Sequence, residues 1–184
     1  MPLTTLDPNT ALIVIDLQKG IANGNLLHPI ANILDRTRAL LDIFRANNLP
    51  VVLVNVAGRA PGRTEQGPRS NVTFSADWTD LLPQLNQQPS DILVTKHALG
   101  AFLGTTLDQQ LRGLGVTQIV LAGVATSIGV ESTARSAYDL GYNVVFITDA
   151  MADLDPANHA HSIEKAFPRL GESGATADLL ALLK

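Results

Sequence analysis

The sequence predicts an α/β protein, a three-layer α/β/α sandwich around a mainly parallel central sheet. Two observations carry this expectation. Five short runs rich in Val, Ile and Leu recur along the 184 residues, each nearly continuous in apolar residues, as strands covered on both faces require. Between these runs the apolar residues fall at helical spacing. Strand alternating with helix implies right-handed crossovers and helices on both faces of one sheet.

The first strand is ALIVID, residues 11–16. Ile30, Ile33, Leu34, Leu40, Leu41 and Phe44 then mark one stripe of a helix, and Pro29 suits its first turn. VVLVNVA (51–57) and DILVTK (91–96) are the second and third strands. The stretch 105–114 carries Leu107, Leu111 and Leu114 on one stripe and stops at Gly115, a C-terminal cap. The fourth strand, QIVLAGV (118–124), runs into a helix over 127–140 that ends before Gly141 in the same way. NVVFITD (143–149) is the fifth strand, and 156–170 and 176–183 read as two more helices. With no internal repeat, low-complexity tract or linker, residues 1–184 are expected to form one domain. The long irregular stretch is 58–76, rich in Gly, Pro, Arg and Ser, and a loop of that length in a compact domain is usually functional or mobile.

Composition narrows the function. The chain has no cysteine, which excludes disulfides, thiolate-bound zinc, iron–sulfur clusters and a thiol nucleophile. Thirteen Lys and Arg against 17 Asp and Glu leave a net charge of −4, so there is no basic field for nucleic acid. The early apolar run is too short for a membrane span and lacks a basic flank, so a cytoplasmic protein with no membrane partner is expected.

In an open parallel sheet the ligand lies beyond the carboxyl ends of the strands, so residues that end strands are the ones to weigh. Asp16 ends the first and Lys96 the third. A carboxylate and an ammonium there form a plausible acid–base pair, although a capping Asp and a Lys emerging into water are the plain alternatives. The turn after Val124 leads into a helix N-terminus, where backbone N–H groups favour negative charge. A dinucleotide fingerprint fails because Ala125 stands where a glycine is needed, and no Gly-Lys-Ser/Thr follows for a P-loop. Ala125-Thr-Ser127-Ile-Gly129 weakly matches a serine nucleophile elbow, with Asp149 or Asp153 and then His159 or His161 in the chain order that α/β-hydrolases use. Arg59, Arg63 and Arg69 cluster in the long loop and would suit an anionic small molecule. Asp153 or Asp155 reads more simply as a helix cap, and His159 and His161 as solvent-facing or interface residues.

The blocks ALIVIDLQKG and TKHALGAFLGTTLDQQLRGLGVTQIVLAGVATSIGVESTARSAYDLGYNVVFITDA, with the spacing between them, resemble the isochorismatase-like hydrolases, also called the cysteine hydrolase superfamily. The resemblance covers nearly the whole chain and implies a Rossmann-like fold and assembly into dimers or larger homo-oligomers. In most members the position of Gly129 holds the nucleophilic cysteine, the Asp matching Asp16 is the general base, and the Lys matching Lys96 orients it. A cis peptide matching Val124–Ala125 helps to form the oxyanion hole. Gln18 and Arg59 join Val124 and Ala125 as substrate-contacting candidates. The Asp/His metal site of nicotinamidases is missing here, since the segment after Val51 carries Asn55 and no histidine before His97, so neither metal nor other cofactor is expected.

Thioester chemistry is impossible for a chain with Gly129 and no thiol. The true isochorismatases also carry glycine there and cleave a vinyl ether with the Asp as general acid, which requires Asp16 to have a raised pKa. The resemblance therefore implies metal-free, noncovalent hydrolysis of a small, anionic substrate, with space beside Gly129 for substrate or water. Two other readings remain open: a binding protein that has lost catalysis, and a cysteine enzyme into which glycine was introduced.

Overall fold

In the computed structural model, residues 3–22, 26, 28–65 and 74–183 are described. Six strands, β1 (Thr10–Ile15), β2 (Val51–Val56), β3 (Ile92–Lys96), β4 (Gln118–Val124), β5 (Asn143–Ala152) and β6 (Glu172–Gly174), form one sheet in the order β3-β2-β1-β4-β5-β6. Every adjacent pair is parallel. The helices are α1 (Lys19–Ala22), α2 (Ile30–Ala46), α3 (Leu107–Gly113), α4 (Glu131–Asp139), α5 (Pro156–His161) and α6 (Thr176–Leu182).

The continuous apolar runs have the expected cause, because alternate residues of one strand enter different cores. In β1, Ala11, Ile13 and Ile15 pack with Leu107 and Leu111 of α3 and Ala134 and Ala137 of α4. Leu12 and Val14 point the other way, into a core with Ile33, Leu40, Leu41 and Phe44 of α2 and Leu179 of α6. Both faces of β1 and β4 are thus dry, and all their residues are buried. Gly115 and Gly141 take positive φ after α3 and α4, as left-handed helix stops.

Several expectations change, among them the helix over 156–170, which is α-helical only to His161. β3 is an edge strand covered on one face only, and Leu93 on its open face is 52% exposed. Its apolar run therefore did not mean two-sided burial. The helix expected over 127–140 begins with a π turn, Thr126–Val130, before α4 proper. β5 continues to Ala152 and slips in register against β4: Leu121 pairs with Phe146, but Gly123 pairs with Met151. Past the slip Val124 pairs with Ala152, so the chain leaves β5 level with the turn that follows β4. β6 follows in a short stretch with no apolar run to announce it.

Candidate active site

The chain runs outward from β1 in one direction through β2 and β3, then returns to the other side of β1 to begin β4. The reversal point lies between β1 and β4, where crossovers leave on opposite faces and a crevice opens at the carboxyl ends. Asp16 immediately follows β1 and the Val124–Ala125 step closes β4, so both stand at this crevice. Asp16 takes φ +52°, the left-handed region that Asp tolerates better than most residues. Its N–H donates to Val54 O and its own carbonyl accepts from the N–H of Gln18, a tight turn locked by backbone.

The Asp16 side chain is nearly sealed from water, with the residue 6% exposed. Its Oδ2 accepts from Lys96 Nζ at 2.8 Å. Its Oδ1 is buried with no hydrogen-bond partner among the described residues. Burial raises the carboxyl pKa to about 6, against the opposing pull of the Lys96 charge and hydrogen bond. Desolvation wins because one ammonium at one oxygen does not replace the water lost from both.

Lys96 does not emerge into water: it is 2% exposed. Besides Asp16, its Nζ donates to Ala98 O at 3.2 Å and Leu99 O at 2.9 Å. An ammonium has three N–H groups, and all three are engaged. Lys96 therefore acts on Asp16 and has no donor left for a ligand.

Opposite Asp16 lies the turn after β4. The Val124–Ala125 peptide is cis. Gly123 takes φ +113°, and a side chain there would collide with the backbone of Ile15, which is why β1 and β4 approach so closely at the crevice. A Cβ at Gly129 would sit 3.2 Å from Asp16 Oδ2, 3.4 Å from Val124 O and 2.9 Å from Ile15 Cγ2. Position 129 is thus beside the carboxylate, as the motif comparison implies. The open space expected at its Cβ position is partly closed, however, because the Ile15 methyl reaches it.

Residues 10–178 match the isochorismatase domain family. The chain is 41% identical over 181 residues to the uncharacterized isochorismatase family protein YwoC of Bacillus subtilis, covering 95% of this chain and 94% of that one. It is 30% identical to the ureidoacrylate amidohydrolase RutB of Variovorax paradoxus, over 90% of this chain and 75% of that one. Its fold superposes with a TM-score of 0.92 on an isochorismatase family protein of Burkholderia thailandensis, 41% identical over 97% of both chains. The chain belongs to the isochorismatase family.

Other candidates fall differently within this family member. Gln18, taken as a substrate contact, is buried and saturated by its own chain: its amide donates to Val56 O at 3.1 Å and Trp78 O at 2.8 Å and accepts from Val56 N at 2.7 Å. It ties β1, β2 and the Trp78 loop together. Arg59 and Arg63 are exposed in the segment after β2; Arg69 lies outside the described residues. Asn55 gives its amide hydrogen to Thr79 O.

The serine-elbow grouping does not assemble. Asp149 accepts from the N–H and hydroxyl of Thr176 and pairs with Arg36. Among the described residues, Ser127 Oγ bonds neither histidine. Instead the Ser127 N–H donates to Asp153 Oδ2 at 2.6 Å. Asp155 caps α5, accepting from Ala157 and Asn158 N–H. His161 faces solvent as expected, but His159 is half-buried, with its Nδ1 2.8 Å from Thr126 Oγ1. Thr126 carried no signal in the sequence, because a threonine at a strand end looks like any turn residue.

Proposed function

We propose that this isochorismatase family member hydrolyses a small anionic substrate without a covalent intermediate, with Asp16 as the proton-transfer residue and Lys96 as its electrostatic partner. One observation carries the reading: a buried carboxyl group with Oδ2 held by Lys96, Oδ1 unpartnered, and a midpoint raised to about 6. At pH 7 roughly one molecule in ten is then protonated. The proton resides on Oδ1, because Oδ2 already accepts from the ammonium.

For an isochorismate-like vinyl ether, Oδ1–H gives its proton to the terminal methylene carbon, and the C=C π electrons form the new C–H bond. The ether oxygen shares a lone pair with the cationic carbon as an oxocarbenium. Water adds its oxygen there and loses a proton to Asp16, and the hemiketal collapses to a ketone and an alcohol. Gly129 offers no nucleophile, which supports the noncovalent route. Backbone at Val124–Gly129 and the exposed Arg59 suit the substrate's negative group. RutB, by its name, acts on a small carboxylate, which supports the same substrate class.

The test is a panel of anionic vinyl ethers, N-carbamoyl amides and esters assayed with wild type, Asp16→Asn and Lys96→Met. Turnover of a vinyl ether, lost at least about a hundredfold in Asp16→Asn and with no adduct mass on the protein, is the expected result. Binding of such a compound without turnover of any would replace the hydrolase by a binding protein.

A further inference from the structure

The π turn Thr126–Val130 lies against the Asp16 carboxylate through Gly129, and a neighbouring segment adds to the turn's own backbone bonds. Within it, Ile128 N and Val130 N donate to Ala125 O, and Gly129 O accepts from Thr133 Oγ1 at 2.7 Å. Thr126 O accepts from the Glu131 N–H, and the first two residues after the cis peptide are also held from outside, by the chain that follows β5. Asp153, 1% exposed, takes the Ser127 N–H on Oδ2 and the Leu154 N–H on Oδ1. His159 on α5 meets the fully buried Thr126 hydroxyl at 2.8 Å. Ala152 pairs with Val124, so Asp153 stands level with the start of the turn.

We propose that His159 is a positioning residue that acts through Thr126, holding the turn against Asp16 so that the carboxyl stays desolvated. The ring accepts the Thr126 hydroxyl proton at Nδ1 and carries its own proton on Nε2. A neutral ring is required for this, and the surroundings favour one. Burial lowers the His159 pKa, His28, edge-on at 5.4 Å between ring centroids, lowers it further, and Asp153 opposes them. With the hydroxyl anchored, the turn keeps Gly129 beside Asp16 Oδ2; released, it admits water to the one group whose function depends on excluding it.

The proposal rests on Asp16 being the reacting group, but its test needs no substrate. The Asp16 carboxyl is titrated by carbon-13 NMR in wild type, His159→Ala, Thr126→Val, Thr126→Ser and His159→Asn, with amide spectra recorded to verify the fold. Thr126→Val and His159→Ala are expected to lower the Asp16 midpoint by about one pH unit. Thr126→Ser, which keeps the hydroxyl, and His159→Asn, which places a side-chain amide near the Nδ1 position, are expected to restore it. A merely structural contact would cost stability without this pattern. If His159→Ala fails to fold, the Val and Ser variants of Thr126 carry the comparison. An unchanged midpoint in folded Thr126→Val overturns the proposal, as does a nitrogen-15 resonance showing Nδ1 protonated in wild type. Loss of turnover in Asp16→Asn belongs to the proposed reaction, so failure of either idea is separately visible.

Discussion

The buried carboxyl of Asp16 makes a quantitative claim about stability against pH. Its midpoint is about 6 in the folded chain against an ordinary 3.8. Between these values the folded state holds a proton that the unfolded state has released, so stability falls as pH rises through this window and levels off above about 6. At 1.36 kcal/mol for each unit, the difference of about 2.2 units amounts to roughly 3 kcal/mol from this group alone, most of it lost between pH 4 and pH 7. Replacing it by Asn removes the titration while keeping the shape. Urea unfolding of both proteins across that range should show Asp16→Asn gaining about 3 kcal/mol on wild type as the pH rises. The substitution also takes one acceptor from Lys96, which displaces the whole curve; the slope is what isolates the carboxyl. A flat difference would mean that burial and Lys96 cancel. A slope of opposite sign, with wild type gaining as pH rises, would mean that the ion pair outweighs desolvation and would refute the reasoning, and with it the acid role of Asp16.

Two further outcomes follow from the packing around the site. Gly129→Ala should cost about 1–3 kcal/mol by thermal denaturation, because the new Cβ meets Ile15 Cγ2 at 2.9 Å; Ile15→Leu, which removes that branch, should recover part of it in a double-mutant cycle, and a Gly129→Ala protein as stable as wild type would contradict the contact. Gln18→Leu leaves Val56 N–H and Trp78 O without their side-chain partner, at a cost of about 3 kcal/mol. Since Trp78 is the one tryptophan in the chain, its fluorescence emission should shift to the red as the loop loosens, and unchanged emission would remove Gln18 from that role.

Much of this could be read from the residues because the cause was local. Apolar runs marked five strands, since in all but β3 burial on both faces leaves little room for polar residues; Gly115 and Gly141 marked helix stops, since positive φ there suits glycine. Asp16 and Lys96 were legible because charge at the end of a buried strand needs a partner. What escaped depended on contacts distant in sequence. Burial on one face of β3 and the nature of β6 depend on which strand lies at an edge. The saturation of Gln18 depends on Val56 and Trp78, which are 38 and 60 residues away. Asp153 and His159 stood out as chemistry-bearing residues, but their grip on Ser127 and Thr126 joins positions 26 and 33 residues apart, which no local pattern announces.

The absence of cysteine and the saturation of Lys96 bear on the same point. A covalent enzyme needs its carboxylate as a base, for which a low pKa close to its ammonium partner would serve. Here position 129 carries no thiol, and the ammonium contacts just one oxygen of Asp16 while two backbone carbonyls share its charge. The other oxygen is buried, with no hydrogen-bond partner among the described residues to stabilise it as an anion. Such an arrangement leaves the carboxyl more willing to hold a proton than a fully solvated or doubly hydrogen-bonded one would be, which suits an acid that delivers a proton to carbon. Under the positioning role proposed for His159, the turn held by Asp153 and His159 then matters alongside Lys96, because the raised midpoint comes from burial.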